Sequence, residues 1–129
     1  MDRIDHANEW LKYARSDIEA AHILSNHHPS PIEIICFHCQ QCGEKALKSI
    51  LAYYDEIIPR THNLNEVLSL CSGHYSDMSE KFTIQADHLT AYAVVTRYPN
   101  EVEVTEADMT LAIKYAKEIL THCEALING

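Results

Sequence analysis

Apolar residues recur every three or four positions along most of this chain, which is the spacing of one face of an α-helix. The first run predicts a helix whose buried stripe consists of Ile4, Ala7, Leu11, Ala14, Ile18 and Ala21. It is expected to end before Asn26, because Pro29 disfavours the helical conformation in the residue that precedes it. The chain therefore opens with a long amphipathic helix.

A second amphipathic helix is predicted to begin at Ser30-Pro31 and to reach about Tyr54. Serine is a common N-cap, proline suits the first helical position, and Glu33 stands where a capping-box carboxylate belongs. One face of this helix is apolar and contains Ile35, Cys39, Cys42, Ala46 and Ile50. The opposite face is polar and contains Gln40, Gln41, Glu44, Lys45 and Lys48.

A third, shorter helix is predicted from a cap and a breaker. Asn63 and Glu66 have the spacing of a capping pair, so the helix should run from Asn63 to about Leu70. Gly73 follows it and is expected to adopt the left-handed conformation that is common after helix ends.

Two further helices complete the pattern. The fourth should begin near Ser79 and reach Tyr98, because Pro99 follows directly. The residues Thr105-Glu106-Ala107-Asp108 form a capping box, which predicts the start of a fifth helix. The apolar face of that helix contains Met109, Ala112, Ile113, Ala116, Ile119, Leu120, Cys123 and Leu126.

These elements predict one all-α domain over residues 1–129, an up-and-down helical bundle of four long helices plus one short helix. Only 3 glycines and 4 prolines occur, too few for the many turns of an antiparallel sheet. The second helix is apolar around a wide arc near its start, from Ile34 to Phe37. A homodimer interface would bury the excess apolar surface.

The charge of the chain bears on its partners and location. There are 10 basic and 19 acidic residues, a formal net charge of −9, which disfavours an extended nucleic-acid surface because phosphates are repelled. No stretch is long and apolar enough to span a membrane, and the first residues do not form a signal-peptide core. The sequence therefore predicts a cytoplasmic protein without membrane contact.

Three of the five cysteines, Cys36, Cys39 and Cys42, follow one another at a spacing of three on the second helix. Cys36 and Cys42 would lie about 9 Å apart along its axis, too far to bind one ion together. The nine histidines are scattered, and the single Glu19-x-x-His22 pair is not a di-iron motif. We therefore expect no metal and no cofactor, with the cysteines as small core residues; a metal or thiol sensor is the alternative.

Several polar residues are candidates for contacts with a nucleotide or a partner protein. His62 precedes a helix start, where it could help to bind an anion or only shape the turn. Arg97 ends the predicted fourth helix, where it could bind a phosphate or satisfy the last helical carbonyls. The remaining candidates share the polar face of the second helix, for which a solvated surface is the alternative interpretation: Gln41, Glu44, Lys45 and Lys48.

Four stretches of the chain, in order, resemble the HEPN family (higher eukaryotes and prokaryotes nucleotide-binding domains). Residues 10–21 are similar to the opening helix of that family, and residues 36–48, CFHCQQCGEKALK, to its most characteristic stretch. Thr61-His62-Asn63-Leu64 resembles the motif that opens the next helix. The fourth helix of the family and its end are resembled by Leu89, Tyr92 and Arg97-Tyr98-Pro99. The resemblance implies a helical bundle that commonly dimerises.

The resemblance also implies a function. Many prokaryotic members are found beside a minimal nucleotidyltransferase and form a two-component complex with it, often a toxin–antitoxin system. We therefore expect a non-catalytic homodimer that serves as the partner of a nucleotidyltransferase subunit and has a nucleotide as a further candidate ligand.

The alternative implied by the resemblance is a metal-independent endoribonuclease toxin. Such family members use an arginine followed, after four to six residues, by a histidine. Only Arg15 and His22 have this spacing here. They lie on the first helix, outside the usual position of the motif and about 10 Å apart along the axis. The family pattern therefore favours the non-catalytic function, with Arg15 and His22 as the candidate catalytic pair of the alternative.

Overall fold

The computed structural model describes residues 2–95 and 98–129 of the chain. Its five helices are α1 (Arg3–Ser25), α2 (Ile32–Tyr53), α3 (Leu64–Cys71), α4 (Met78–Thr90) and α5 (Glu106–Asn128). The described residues contain no strand, so the predicted all-α helical bundle is confirmed. Within the same residues, no helix combines the length and the apolarity needed to cross a membrane.

Helix α2 is the centre of the bundle, because it packs against each of the other four helices. Helices α1 and α5 also contact each other, as do α3 and α4, and α4 contacts α5. Burial of aliphatic side chains between these helices is the main stabilising contribution. The fully buried members of the core include Leu11, Ile35, Leu47, Ile50, Leu51, Leu64, Leu89 and Ile119.

Gly43 allows α2 to lie close to α3 and α4. A Cβ atom at this position would be 2.9 Å from Leu64 Cδ2 and 3.1 Å from Leu89 Cδ1. Glycine weakens a helix interior, and the close packing of these two leucines accounts for its place in the middle of α2.

Two predicted helix caps are confirmed. Asn63 Oδ1 accepts hydrogen bonds from the N–H groups of Asn65 at 2.9 Å and Glu66 at 3.3 Å. Thr105 Oγ1 accepts from Asp108 N at 3.1 Å, and Asp108 Oδ2 accepts from Thr105 N at 3.0 Å. Both caps satisfy N–H groups that have no partner inside their own helix, and so fix the starts of α3 and α5.

The predicted cap of α2 is wrong. Pro31 occupies the N-cap position, and no side chain of the described residues caps the helix there. Ser30 Oγ instead donates to the carbonyl oxygens of Ser25 at 3.3 Å and His27 at 2.9 Å. The hydroxyl therefore stabilises the link after α1 rather than the start of α2.

Helix α2 ends in a Schellman motif in which Asp55 has a left-handed conformation, with φ of 56°. Asp55 N donates to Ala52 O at 3.1 Å, and Glu56 N donates to Leu51 O at 2.9 Å. These are the two hydrogen bonds that define the motif. A non-glycine residue thus occupies a position where glycine is the usual choice.

The predicted left-handed glycine after α3 is wrong. Gly73 does not have a positive φ. Helix α3 is closed by Ser72 in the right-handed region, and its N–H donates to Leu68 O at 3.0 Å. The turn therefore continues the right-handed path of the helix and does not need the conformational freedom of glycine.

Helix α4 is shorter than predicted and ends at Thr90 instead of Tyr98. Thr90 Oγ1 donates to Ala86 O at 2.8 Å and accepts from Leu64 N at 3.1 Å. Its hydroxyl thus joins the end of α4 to the start of α3. Val94 and Val95, which follow, are β-branched and have low helix propensity, which is consistent with the early end of α4.

Candidate functional site

The polar face of α2 is largely buried. Gln40 is fully buried, and Glu44 and Lys48 are 4% and 5% exposed; Gln41 and Lys45 are half-buried. The interpretation as a solvated surface is therefore wrong for Glu44 and Lys48. Burying a charged group costs much free energy unless hydrogen bonds or an opposite charge compensate it. Glu44 and Lys48 therefore require such partners in the interior.

Glu44 is the centre of these contacts. Its Oε2 accepts a hydrogen bond from Lys48 Nζ at 3.0 Å, and its Oε1 accepts from Gln40 Nε2 at 3.1 Å. The same Oε1 lies 2.8 Å from His62 Nδ1. The i,i+4 spacing of Glu44 and Lys48 favours an ion pair on a helix, and the structure has this pair in the interior instead of at the surface.

The partners of Glu44 also hold the turn before α3. Gln40 Nε2 donates to His62 O at 2.9 Å, and Lys48 Nζ donates to Thr61 O at 3.0 Å. The two stretches that resemble separate family motifs are therefore parts of one structure. We call the side chains of Gln40, Glu44, Lys48 and His62, with the carbonyls of Thr61 and His62, the Glu44 cluster.

Two outer contacts complete this region. Gln41 Nε2 donates to Gln40 Oε1 at 2.7 Å. Lys48 Nζ lies 5.9 Å from the centre of the Trp10 ring, within cation–π distance. The ammonium group of Lys48 therefore contacts a carboxylate, a carbonyl and an aromatic face. These contacts offset the free-energy cost of burying its charge.

The protonation of Glu44 follows from these contacts. Burial alone would raise the pKa of this carboxyl group, but hydrogen bonds from His62, Lys48 and Gln40 and the charge of Lys48 outweigh it and lower the pKa below 4.5. Glu44 is thus ionised at neutral pH. Since an ionised carboxylate can only accept, Nδ1 of His62 carries a proton in this contact.

His62 is the most accessible member of the cluster, with a side chain that is 64% exposed. Its Nδ1 faces Glu44, and its Nε2 makes no hydrogen bond to any residue that the structure describes. Nε2 is the nitrogen that remains for a ligand or a partner protein.

The helix start next to His62 offers an anion few donors. The N–H of Leu64 donates to Thr90 Oγ1, those of Asn65 and Glu66 donate to Asn63 Oδ1, and that of Val67 donates to Asn63 O. An N-terminal anion site requires backbone N–H groups without such partners. Contacts of His62 with a ligand would therefore come from its side chain.

A second charged cluster joins α1 to α2. Asp17, which is 9% exposed, accepts a hydrogen bond from Lys45 Nζ at 2.6 Å through Oδ2, and its Oδ1 lies 2.9 Å from His38 Nδ1. Neither Asp17 nor His38 is among the site residues predicted from the sequence. A signal was present, because Asp17 follows Ala14 by three positions and precedes Ala21 by four, and so lies on the buried stripe of α1.

The candidate pair Arg15 and His22 is not brought together. Arg15 Nη1 donates to Glu124 Oε2 on α5 at 2.8 Å, and no hydrogen bond or ion pair between Arg15 and His22 occurs in the described part of the chain. Both side chains are exposed. Arg97 lies outside the described residues.

All five cysteines are buried. Burial raises the pKa of Cys39 and Cys71 to about 12, and it also raises those of Cys42 and Cys123 well above the ordinary value of a thiol. Thiols in such surroundings are protonated and unreactive. Among the residues described, no group of three or more His, Cys, Asp or Glu side chains is arranged to hold a metal ion.

Similarity to known proteins agrees with this structure. Two solved structures share the fold: "ST0689, an archaeal HEPN homologue", with a TM-score of 0.75 and 26% identity, and TT1696 from Thermus thermophilus, with a TM-score of 0.78 and 25% identity. The alignments cover 95% and 97% of this chain, respectively, and 98% of each neighbour.

Two comparisons of the sequence itself also found similar proteins, and the second of them shows the family. A protein of Methanocaldococcus jannaschii named "Putative toxin MJ1304" is 38% identical over 66 residues, which are 50% of this chain and 40% of that protein. This chain thus matches less than half the length of that relative. The model of the HEPN domain family matches residues 7–126, nearly the whole chain. The protein therefore belongs to the HEPN domain family.

Proposed function

We propose that this HEPN chain is a non-catalytic subunit that acts through assembly. It forms a cytoplasmic homodimer and binds a minimal nucleotidyltransferase in a two-component system of the toxin–antitoxin kind. The observation that supports this proposal most is that the polar residues of α2 are committed to internal contacts. Gln40, Glu44 and Lys48 bond to one another or to the Thr61-His62 turn, and the donors and acceptors used in these bonds are not available to a substrate.

The toxin part of the proposal is supported by the name of the Methanocaldococcus jannaschii relative. That protein matches this chain over 66 residues only. A toxin and its neutralising partner must recognise each other through an accessible surface, so the proposal depends on residues that remain exposed beside the Glu44 cluster.

The accessible residues of this region are candidates for the contact with the nucleotidyltransferase or with a nucleotide. His62 is 64% exposed in its side chain, and Gln41 and Lys45 are half-buried. Glu44 and Lys48 would act indirectly, by holding His62 in place. Arg97 stays a candidate from the sequence.

The homodimer is supported by apolar surface at the start of α2. Of the four consecutive apolar residues there, Ile35 and Cys36 are fully buried, whereas Ile34 is 42% exposed and Phe37 is half-buried. A second copy of the chain would cover Ile34 and Phe37 by an isologous contact. Light scattering on the purified chain should give the mass of two chains, and a Phe37→Asp variant should give the mass of one.

Co-expression with a minimal nucleotidyltransferase from the same genome tests the proposed partner. With an affinity tag on the nucleotidyltransferase, the chain should be retained in a stoichiometric amount. We expect His62→Ala to reduce the retained amount and Lys12→Ala, a change of an exposed residue on α1, to leave it unchanged. If the wild-type chain passes through the column while both proteins are folded, the proposal is rejected.

The endoribonuclease alternative is favoured by the toxin name of the same relative and by the exposure of Arg15 and His22. It predicts cleavage of RNA in the presence of a chelator, lost on His22→Ala. Our proposal predicts intact RNA for the wild-type chain. Cleavage that survives chelation and disappears in His22→Ala would replace the proposed function by this alternative.

A further inference from the structure

The charged cluster of Asp17, His38 and Lys45 joins α1 to α2 and shares no residue with the Glu44 cluster. Each oxygen of the Asp17 carboxylate has its own partner: Oδ1 lies 2.9 Å from His38 Nδ1, and Oδ2 accepts a hydrogen bond from Lys45 Nζ at 2.6 Å. The carboxylate is largely buried, whereas the side chains of His38 and Lys45 are 28% and 25% exposed. One buried carboxylate therefore holds an imidazole and an ammonium group that are both accessible.

The carboxylate of Asp17 fixes the His38 ring. Because a carboxylate that is paired with a lysine can only accept hydrogen bonds, Nδ1 of His38 carries a proton in this contact. The lone pair of the neutral ring is then on Nε2, and within residues 2–95 and 98–129 no hydrogen bond to Nε2 occurs. The Phe37 ring meets the His38 ring edge to face, with ring centres 5.8 Å apart. Orientation of an imidazole by a carboxylate is how proteins prepare a histidine as a base or a nucleophile.

Lys45 distinguishes this site from the one at His62. Both sites have a histidine Nδ1 against a largely buried carboxylate. The ammonium group beside His62 is that of Lys48, which is buried and donates to Glu44 and to Thr61 O. Lys45 makes a single hydrogen bond in the described part of the chain, so two of its three N–H donors remain for an incoming group. Such donors suit the oxygen atoms of a phosphoryl group.

We propose that His38 is a phosphoryl acceptor, modified at Nε2 by a small donor of the phosphoramidate class. The Nε2 lone pair attacks phosphorus, the bond between phosphorus and nitrogen in the donor breaks, and ammonia leaves with the electron pair of that bond. The Nδ1 proton stays between the ring and Asp17, whose carboxylate stabilises the positive charge that the ring acquires. Lys45 donates a hydrogen bond to a phosphoryl oxygen.

This modification site goes beyond the proposed partner function. The reaction requires only the isolated chain and the donor, whereas the partner function requires a nucleotidyltransferase. Either proposal can therefore fail without the other.

Competition among the nine histidines of the chain tests the site. The isolated chain is incubated with phosphoramidate, and peptide mass spectrometry under conditions that preserve acid-labile phosphorus–nitrogen bonds gives the labelling rate of each histidine. We expect His38 to be labelled at least about tenfold faster than His62, because Lys45 adds a charge-assisted hydrogen bond in the transition state. Exposure alone gives the opposite order, since the His62 side chain is 64% exposed and that of His38 is 28% exposed.

Variants of the two neighbours of His38 have separate readouts. Lys45→Ala should lower the labelling rate of His38 at least about tenfold, and Lys45→Arg should restore most of it, since a guanidinium group also donates to phosphoryl oxygens. Asp17→Ala releases Nδ1, so NMR of the labelled chain should show phosphoryl groups on both ring nitrogens. A purely structural role of the cluster would change stability without changing the labelled nitrogen. Lys12→Ala, a change of an exposed residue on α1, should leave the rate unchanged.

Three results would overturn the proposal. The first is labelling of His38 in the wild-type chain that is absent or slower than that of His62, a comparison that needs no variant to fold. The second is an unchanged labelling rate in Lys45→Ala when circular dichroism shows a native helix content. The third is a phosphoryl group on Nδ1 of His38 in the wild-type chain, which would show that Asp17 does not hold the ring.

Discussion

Glu44 and Lys45 are neighbours in the sequence and differ fully in their surroundings. Glu44 is 4% exposed and contacts the turn before α3, whereas Lys45 is half-buried and pairs with Asp17 on α1. The spacing of Glu44 and Lys48 predicts their ion pair, because helix geometry is local. Their burial could not be predicted in the same way, since it depends on the carbonyls of Thr61 and His62, which only the folded chain brings near.

The lowered pKa of Glu44 predicts a pH dependence of stability. The folded state favours the ionised form, so the contribution of Glu44 is fully present above its ordinary pKa of 4.5 and is lost as the pH falls through the lower folded value. We therefore expect the difference in unfolding free energy between the wild-type chain and Glu44→Gln to shrink below pH 4.5. Chemical denaturation at a series of pH values measures it.

The control for this pH prediction is Glu124→Gln, at an exposed ion pair with Arg15. Its difference from the wild-type chain should be small throughout, because exposed pairs are screened by solvent. A wild-type advantage over Glu44→Gln that stays constant from pH 7 to pH 3 would contradict the assignment of an ionised Glu44.

At the scale of helices, the predictions succeeded where a side chain caps its own helix and failed where it bonds to another element. Asn63 and Thr105 bond to N–H groups within four residues of themselves. Ser30 instead bonds to the end of α1, and Thr90 joins α4 to α3. A sequence pattern predicts hydrogen bonds between residues that are close in the chain. The hydrogen bonds of Ser30 and Thr90 depend on tertiary contacts, which such a pattern does not contain.

The end of α2 gives a prediction at this scale. Asp55 has a φ of 56°, which costs free energy for a residue with a Cβ atom and little for glycine. We expect Asp55→Gly to raise the free energy of unfolding by about 0.5–1 kcal/mol, measured by urea denaturation.

Asp55→Ala is the matched variant for that measurement. It removes the same charge and keeps the Cβ atom, so it should not stabilise the chain. Equal stabilisation by alanine and glycine would show that relief of negative charge, and not of the left-handed conformation, explains the effect.

At the scale of the whole molecule, the cysteines follow the path of the core. Cys39 and Cys42 lie on α2, Cys71 ends α3 and Cys123 lies on α5, and all are fully buried. Cys39, Cys42 and Cys123 lie on the predicted apolar stripes, and the structure confirms that they are core residues. Core membership could be predicted because it follows from periodicity alone.

The burial of the thiols predicts their reactivity. The raised pKa values of Cys39, Cys42, Cys71 and Cys123 leave almost none of these thiols ionised at pH 8. In the native chain, less than about one thiol per chain should react with a disulfide reagent within minutes. In denaturant, all five should react. Rapid labelling of the native chain would favour the thiol-sensor alternative.

The Glu44 cluster stabilises the fold by joining α2 to the turn before α3. The most direct test compares the unfolding free energies of Glu44→Ala and Glu124→Ala. Glu44→Ala leaves Lys48 buried without its carboxylate and should cost about 3 kcal/mol; Glu124→Ala breaks an exposed pair and should cost less than about 1 kcal/mol. Equal, small losses in the two variants would contradict the claim.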